Sequence, residues 1–196
     1  MDIALQAHHE TGFESLLPRA ASGEAAALEH IHERLFKRVR QLCRYLLGSP
    51  GDAEDAAGEL FLRLERLAGS YDGRIPFDAY LMKAASHYCI DQLRRQRVEA
   101  RLFVDEPPEE IPVASGDPSP LTALLLKEQR RELERAIGQL PSACRLPLVL
   151  RYYRDLSYDE IAAELGTSRS QVAAALFRAR HALRRALEKT KKGALP

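Results

Sequence analysis

An apolar stripe near the N-terminus constrains the fold of this chain more than any other feature. Its members recur every three or four residues between positions 24 and 47: Leu28, Ile31, Leu35, Val39, Leu42 and Leu46. This spacing places apolar side chains on one face of an α-helix, whereas a half-buried strand would alternate them. The sequence Gly48-Ser49-Pro50-Gly51 is predicted to end the helix.

The same period returns twice more in the N-terminal half. A second helix is predicted from 52 to 67, with acidic residues in its first turn, and a third from 77 to about 97. The residues between them, 68–76, contain two glycines and a proline and are predicted to form a loop. Amphipathic helices with short connections predict a small bundle of three or four helices.

A segment rich in proline and acid marks a domain boundary. Residues 103–120 contain five prolines and five acids but no base, a net charge of −5, and they have little to bury. Such a segment is predicted to be an extended, negatively charged linker. The chain is therefore expected to be all-α and to divide into five segments: a flexible N-terminal tail (1–19), an N-terminal domain (20–100), an acidic proline-rich linker (101–120), a C-terminal four-helix domain (121–190) and a short tail (191–196).

The C-terminal domain contains a capped pair of short helices. Its first two helices are predicted at 124–138 and 142–154, where Pro147 falls in the first turn or kinks the helix. Ser157 and Glu160 then form a capping-box pattern, and Gly166 provides a turn before a last helix that begins near Ser168 and runs to about 189. A capped helix, a glycine turn and a second helix predict a helix-turn-helix.

The last helix has the charge expected of a nucleic-acid-binding surface. Residues 169–192 contain eight basic residues and one acid, a net charge of +7, although the whole chain carries only +1. The second helix of a helix-turn-helix enters the major groove, where side chains read base edges and arginines neutralise phosphates. The residues predicted to bind DNA are Arg169, Ser170, Gln171, Ala174, Ala175, Arg178, Arg180 and Arg184. The alternative is a helical hairpin with a solvated basic end, and the capping box, turn glycine and arginine run together favour the DNA-binding interpretation.

Catalytic and metal-binding patterns are not evident in the sequence. The three cysteines, Cys43, Cys89 and Cys144, form no CxxC pair and are predicted to be buried free thiols. His30 and His32 are two residues apart and face different directions on a helix. We therefore expect no enzyme activity, no cofactor and no metal. The absence of a signal peptide and of a long apolar run predicts a cytoplasmic protein with no membrane insertion.

The sequence resembles the extracytoplasmic-function (ECF) family of RNA polymerase sigma factors, group IV of the major bacterial sigma class. The string LPSACRLPLVLRYYRDLSYDEIAAELGTSRSQVAAALFRARHALRRAL looks like the C-terminal domain of that family. The strings DAEDAAGELFLRLERL and FDAYLMKAASHYCIDQLRR look like helices of its N-terminal domain, in the same order. The resemblance covers nearly all of residues 20–188.

The resemblance implies transcription initiation, with the clamp and flap of core RNA polymerase, promoter DNA and, where one exists, an anti-sigma factor as partners. In the family the second helix docks on the polymerase clamp, which here implies Asp52, Asp55, Glu59 and Arg63. A following loop traps a flipped base and the third helix contacts the melted element. The residues implied are Tyr71, Asp72, Arg74, Lys83, His87, Gln92, Arg94 and Arg95. An ordinary polar surface is the alternative for the third helix, and the acidic linker is implied to thread the RNA path of the polymerase.

Several positions depart from the family pattern. Tyr80 replaces a common tryptophan, Ser86-His87 replaces Arg-Asn, and Gly58 replaces a glutamine, at a cost of about 1 kcal/mol in helix propensity relative to alanine. In the recognition helix, 171–175 reads Gln-Val-Ala-Ala-Ala in place of Thr-Val-Lys-Ser-Arg, which removes two cations from the turn that faces the groove.

Three hypotheses follow. The first is a sigma factor that directs core polymerase to a specific promoter class and melts it. The second is a sigma-like decoy that binds an anti-sigma factor or polymerase without autonomous promoter recognition. The third is a stand-alone helix-turn-helix regulator, against which the linker and the N-terminal bundle argue. The sequence does not determine the promoter, the inducing signal, the anti-sigma partner, the need for an activator or the packing of the two domains.

Overall fold

A computed structural model describes residues 12–100 and 132–193 of the chain. Within these ranges all regular structure is helical, which confirms the predicted all-α class. The helices, in chain order, are α1 (Leu17–Ala21), α2 (Ala25–Leu47), α3 (Pro50–Phe61), α4 (Leu64–Gly69), α5 (Phe77–Ala100), α6 (132–138), α7 (Ser142–Tyr153), α8 (Tyr158–Leu165) and α9 (Arg169–Gly193). The predicted acidic linker and the predicted start of the C-terminal domain lie outside the described residues.

Helix α2 forms the centre of the N-terminal bundle and follows its sequence pattern closely. Five members of the predicted stripe, Ile31, Leu35, Val39, Leu42 and Leu46, are completely buried, while Leu28 is half-buried at the edge of the core. The helix ends where predicted, because Gly48 adopts the left-handed conformation (φ +80°) that a C-terminal cap requires.

The single helix predicted over 52–67 is in fact two helices. Helix α3 begins earlier than predicted, because Ser49 caps it through the Asp52 backbone N–H (3.4 Å) and Pro50 occupies its first turn. It ends at Phe61, and α4 begins at Leu64 and packs on α1. Gly58, which lowers helix propensity just before the break, and the docking of α4 on α1 together account for the difference.

The prediction that residues 1–19 form a flexible tail is wrong for residues 12–19. Phe13 is 1% exposed, its ring lies 5.8 Å from the ring of Phe77, and the Arg34 guanidinium lies 4.3 Å from its centroid. Leu17 then begins α1 and is buried. The aromatic anchor and the packing of α1 fix this segment on the bundle, although its sequence is too short to show a helical period.

Two buried polar contacts tie α5 to α2. The Asp78 carboxylate is fully buried and accepts a hydrogen bond from the Arg38 guanidinium at 3.3 Å. The Cys89 thiol hydrogen bonds with Cys43, and this contact together with burial raises the pKa of Cys89. The described cysteines are free thiols, with Cys43 and Cys89 buried and Cys144 partly buried.

The C-terminal half follows the predicted order of helices with two differences. Pro147 lies in the second turn of α7, not in the first, and is buried in the core. Helix α9 continues to Gly193, past the predicted end near 189, so that 191–193 are helical and not part of a tail.

The two halves pack against each other through Arg145 of α7, which the sequence did not predict. Its guanidinium donates to the Leu46 carbonyl (3.2 Å) and the Leu47 carbonyl (2.9 Å) at the end of α2. It also donates to the carbonyl of Gly138, the last residue of α6, at 2.8 Å and to the carbonyl of Leu140, just beyond α6, at 3.2 Å. The residue is 8% exposed. A buried cation is therefore satisfied by carbonyls at two helix C-termini, which carry partial negative charge.

A second set of contacts extends this interface along α2. The Tyr153 hydroxyl donates to the Arg38 carbonyl at 3.0 Å, and its ring packs edge-on against the Tyr45 ring at 5.7 Å. The Tyr45 hydroxyl in turn donates to the Glu134 carboxylate at 3.4 Å, which also lies 3.6 Å from the Arg44 guanidinium. The halves are thus joined by hydrogen bonds, an ion pair and aromatic contact.

Candidate nucleic-acid interface

The predicted helix-turn-helix is formed by α8 and α9, and its first helix has the expected cap. The Ser157 hydroxyl accepts from the Glu160 backbone N–H (3.3 Å), and the Glu160 carboxylate accepts from the Ser157 backbone N–H (2.8 Å). The hydrogen bond from Ser157 lowers the pKa of Glu160. Gly166 ends α8 at φ +65°, which confirms its role as the turn residue.

A second capping box begins α9 and was missed in the sequence. The Ser168 hydroxyl accepts from the Gln171 backbone N–H (3.2 Å), and the Gln171 side-chain oxygen accepts from the Ser168 backbone N–H (3.0 Å). The pattern Ser-x-x-Gln was available as the signal. Bidentate reading of adenine would use both ends of the Gln171 amide, so its oxygen would have to leave this cap.

Helix α9 has two opposite faces. Val172, Ala175, Leu176 and Ala179 are spaced by three, one and three residues, and all four are buried against α7 and α8. The opposite face carries Ser170, Ala173, Ala174 and Phe177, with the same spacing. Phe177 is 67% exposed and was not among the predicted DNA-binding residues. Of the predicted residues, Ala174 is exposed on this face, whereas Ala175 is 4% exposed on the core face.

The arginines of α9 that are predicted to bind DNA flank the exposed face. Arg178 and Arg184 are exposed. The Arg169 guanidinium donates to the Asp159 carboxylate of α8 at 3.1 Å, which holds it at the start of α9. A hydrogen bond with Tyr152, helped by the nearby Tyr158, raises the pKa of Arg180 and attaches its side chain to the end of α7.

The loop predicted to trap a flipped base connects α4 to α5. The Tyr71 ring is half-buried, 5.3 Å from the Phe77 ring and 5.5 Å from the Tyr80 ring, and its hydroxyl donates to the Ile75 carbonyl at 2.6 Å. Burial raises the pKa of Tyr71. Asp72 accepts from the Arg74 backbone N–H and pairs with its guanidinium, each at 3.1 Å.

Four of the five predicted DNA-contacting residues of α5 are exposed, and two of them contact the C-terminal half. Lys83, His87, Arg94 and Arg95 are exposed, whereas Gln92 is half-buried and its side-chain oxygen is buried without a hydrogen-bond partner. Two of these side chains reach the C-terminal half. The Arg94 guanidinium donates to the Leu165 carbonyl at 3.4 Å, and the His87 ring lies 3.9 Å from the Glu164 carboxylate.

A groove separates α5 from α7 and the helix-turn-helix. Its volume is about 330 Å³, and its walls include Leu93 and Arg94 on one side and Leu146, Pro147 and Ala175 on the other. Gln171 and Arg178 also line it. Arg94, which is predicted to contact the melted element, therefore lines the same groove as Gln171 and Arg178, which are predicted to contact duplex DNA.

The predicted polymerase-binding residues follow the outer side of α3. Asp52 is half-buried in the first turn, and Asp55 is exposed. Glu59 and Arg63 form an exposed ion pair at 2.9 Å, with Arg63 just beyond the end of α3. Leu62 lies between the end of α3 and Arg63; it is 82% exposed and was not predicted as a site residue. The break between α3 and α4 is what turns this leucine outward.

Other site types receive no support in the part of the chain that is described. Residues 12–100 and 132–193 contain no group of three His, Cys, Asp or Glu residues placed to hold a metal ion. His32 instead stacks on the Phe36 ring at 4.5 Å. None of the described helices is both long and apolar enough to cross a bilayer.

Two family models match the chain in sequence order. The Sigma-70 region 2 model matches residues 31–99, which span α2 to α5, and the Sigma-70 region 4 model matches residues 130–189, which span α6 to most of α9. The two matched regions thus correspond to the two halves of the fold.

Curated relatives share both halves. The ECF RNA polymerase sigma factor SigF of Caulobacter vibrioides is 30% identical over 175 residues, which cover 89% of this chain and 93% of the relative. SigW of Bacillus subtilis is 27% identical, covering 87% of this chain and 94% of the relative. SigE of Mycolicibacterium smegmatis is 31% identical, and the match spans 66% of that longer protein.

The fold is also similar to that of a solved sigma factor. RpoE of Bartonella quintana, in a complex with the anti-sigma factor NepR, has a TM-score of 0.60 and 17% identity, covering 82% of this chain and 96% of that one. At that identity the likeness shows the fold alone. The matched regions and the sequence identity to SigF establish the family, and this chain belongs to the ECF RNA polymerase sigma factors.

Proposed function

We propose that the chain directs core RNA polymerase to a specific class of promoters and opens the DNA there. The observation that carries this proposal is the presence of region 2 and region 4 in one chain, with a helix-turn-helix in region 4 whose exposed face is flanked by arginines. A stand-alone regulator of the helix-turn-helix type would have no need of region 2. Its role is binding and positioning, without catalysis or a cofactor, and its place of action is the cytoplasm.

Each half has a distinct role in this proposal. Helix α9 binds the upstream promoter element, with Arg169 at base edges and with Arg178 and Arg184 at phosphates. The loop that begins at Tyr71 and the exposed side of α5 bind the melted element, where unpaired bases stack on aromatic rings. The outer side of α3, including Asp55 and Glu59, binds the polymerase clamp, and the C-terminal half binds the flap.

Run-off transcription with core polymerase tests the proposal. A library of promoter fragments is transcribed with and without the full-length protein, and new start sites that share an upstream motif are expected. The double variant Arg178→Ala/Arg184→Ala should lose those start sites and still bind core enzyme, because two phosphate contacts are removed from region 4 alone. A protein that never associates with core enzyme would refute the proposal.

A second candidate is a sigma-like protein that binds an anti-sigma factor or polymerase without recognising a promoter by itself. Two observations favour it: alanine occupies 173–175, and Gln171, Ala175 and Arg178 line the groove between the halves. Core binding without any new start site in the run-off experiment would support this candidate. If an added activator restored transcription, that result would instead support the first candidate, a factor that directs polymerase to promoters.

A further inference from the structure

We propose that the groove between α5 and the helix-turn-helix is a binding site for a small amphiphilic anion, an aliphatic carboxylate of medium chain length. The alkyl chain lies against the apolar walls, and Arg178 binds the carboxylate. Because both halves of the chain form the groove, a bound carboxylate holds region 2 against region 4. The effect of this closure on transcription rests on the proposed function, whereas the binding itself does not.

The walls of the groove are mostly carbon. Eight of the thirteen residues that line it are apolar, and these include Ile90 and Leu93 of α5, Leu146 of α7 and Val172 of α9. Its volume of about 330 Å³ is within the range of roughly 300–1,000 Å³ that is usual for pockets holding small organic molecules. Such walls fit an alkyl chain, because methylenes gain free energy when they leave water for an apolar surface.

The charged residues that line the groove are both cations, Arg94 and Arg178, and none of the described residues lining it is acidic. Arg94 is already engaged, since it donates to the Leu165 carbonyl at 3.4 Å and pairs with Asp91 on its own helix at 3.3 Å. Arg178 is exposed and forms no ion pair within the described part of the chain. A guanidinium binds a carboxylate through two parallel hydrogen bonds, so Arg178 selects an anionic head group.

The size of the groove argues against a larger occupant. A helix with its side chains is about 10 Å wide, so a helical segment that filled 330 Å³ would be only about 4 Å long. That length is less than one helical turn of about 5.4 Å. A nucleic-acid backbone also fits poorly, because its phosphates would lose water against carbon walls without a donor for each oxygen. A slender chain with one charged end meets neither obstacle.

A ligand in this groove also affects how the two halves are held. The His87 ring lies 3.9 Å from the Glu164 carboxylate, and Arg94 reaches the end of α8, so the walls already contact each other beside the groove. A ligand that contacts both walls binds only this closed arrangement and therefore stabilises it. Gln171 and Arg178, which are predicted to contact DNA, line the same groove. Bound carboxylate should therefore reduce promoter recognition.

Calorimetric titration of the full-length protein tests the binding site without polymerase. The probes are octanoate, decanoate and dodecanoate, each kept below the concentration at which it forms micelles. Binding to one site is expected, and Kd should fall about fourfold for each added methylene that reaches the walls. Decyltrimethylammonium, which has a similar chain and the opposite charge, is the control ligand and should not bind.

Two pairs of variants locate the site. Ala143 is exposed at the start of α7 and lines the groove, so Ala143→Phe should fill the space and abolish decanoate binding. Ala143→Ser keeps the space open and should bind as the wild type does. Arg178→Gln should raise the Kd for decanoate about threefold to fivefold, because a partly solvated ion pair is lost. Arg184→Gln, an exposed change on α9 outside the groove, should leave this Kd unchanged.

Three results would overturn the inference. The first is a wild-type protein that binds none of the three carboxylates. The second is an affinity that does not depend on chain length, which would place the alkyl chain in water. The third is binding by Ala143→Phe that is as tight as in the wild type, which would place the ligand elsewhere on the protein.

Run-off transcription separates the inference from the proposed function. Decanoate added before core polymerase should reduce transcripts from the protein's start sites, and Ala143→Phe in the same reaction should be resistant. Unchanged transcription by a wild-type protein that binds decanoate would overturn the closure and leave the binding site standing. A protein that binds decanoate as expected but produces no start site under any condition would overturn the proposed function alone.

Discussion

Ser157 and Glu160 show how strongly single residues fix the recognition unit. Each side chain of this pair satisfies a backbone N–H that the start of α8 leaves without a helical partner. The equivalent pair Ser168 and Gln171 does the same for α9. The orientation of the recognition helix therefore depends on two capping boxes as well as on the apolar residues between the helices.

Removal of the first cap should destabilise the C-terminal half measurably. Ser157→Ala is expected to lower the free energy of unfolding by about 1 kcal/mol, because the Glu160 N–H loses its acceptor. Urea denaturation followed by circular dichroism measures this. Ser157→Asp, which keeps a capping oxygen, should stay near the wild type, and equal losses in both variants would contradict the assignment.

The lowered pKa of Glu160 makes part of this stability depend on pH. Because the folded-state pKa lies below the ordinary value of 4.5, the stabilisation is complete above that value and is lost as pH falls through the lowered pKa. Wild type should therefore lose its advantage over Glu160→Gln between pH about 5 and about 3. Unfolding free energies measured across that range check this, and a constant difference would rule it out.

At the level of helices, the break between α3 and α4 creates a surface that one continuous helix would have lacked. Leu64 and Ala68 turn toward α1 and are buried, while Leu62 is left in solvent beside the Glu59–Arg63 ion pair. An exposed leucine next to the face implied to bind polymerase is a natural apolar contact for that partner.

Leu62→Ala is expected to weaken binding to core polymerase by about tenfold, because burial of a leucine side chain is worth roughly 1.5–3 kcal/mol. Protein stability should change little, since the side chain makes no core contact. Fluorescence anisotropy of the labelled protein with core enzyme measures the affinity. Lys37→Ala, an exposed change on α2, is the matched control, and unchanged affinity in Leu62→Ala would exclude this contact.

The loop after α4 is held by a small aromatic cluster, which makes its role separable from its stability. Tyr71 contacts Phe77 and Tyr80 and bonds to the Ile75 carbonyl. Tyr71→Phe removes the hydroxyl and keeps the ring, whereas Tyr71→Ala removes both.

If Tyr71 stacks on an unpaired base, Tyr71→Ala should reduce promoter melting about tenfold or more, because base–aromatic stacking is worth roughly 1–3 kcal/mol. Tyr71→Phe should melt DNA nearly as well as the wild type. Permanganate reactivity of thymines in the melted region reports the open fraction. Equal melting by all three proteins would show that the ring only supports the loop.

At the level of the whole molecule, Arg145 joins region 4 to region 2. Its guanidinium occupies the carbonyl end of α2 and of α6 at once, and a lysine cannot reproduce that forked set of hydrogen bonds. Gly48 permits the approach, because a Cβ there would lie 2.6 Å from the guanidinium.

Arg145→Met should loosen the two halves. The expected loss is roughly 2–4 kcal/mol of unfolding free energy, since several charge-assisted hydrogen bonds disappear and buried carbonyls lose their donor. Urea denaturation measures that loss, and small-angle X-ray scattering should show a larger radius of gyration. Lys37→Met serves as the surface control, and an unchanged radius together with unchanged stability would contradict the role of Arg145.

Much of the local structure follows from the sequence because its causes are local. The stripe of α2, the glycine end at Gly48, the capping box at Ser157 and the turn at Gly166 each depend on residues within a few positions. The all-helical class and the helix-turn-helix follow from such patterns. The break at Leu62 and the folded structure of residues 12–19 do not follow from local patterns. They result from the packing of α1 on α4 and of Phe13 on Phe77.

The candidate interface divides in the same way. Sequence alone showed that α9 is basic, and it predicted that the first turns of this helix face DNA. Only the tertiary structure showed that Ala175 is buried, that Phe177 is exposed opposite the core, and that Gln171 caps its own helix. The exposed side of a helix is decided by the elements that pack against its other side. In an alanine-rich helix such as α9, residues on both faces recur with the same spacing, so the periodic pattern does not show which face is buried.

The packing of the two halves was decided by tertiary structure alone. The sequence determined two helical units, one basic helix and an acidic segment between the units, because these depend on composition and period. Arg145 lies at the ends of α2 and α6. Its two hydrogen-bond acceptors at the end of α2 are 98 and 99 residues away in the sequence. Every residue has a backbone carbonyl that can accept a hydrogen bond. The sequence of the accepting segment therefore does not show which carbonyls Arg145 contacts.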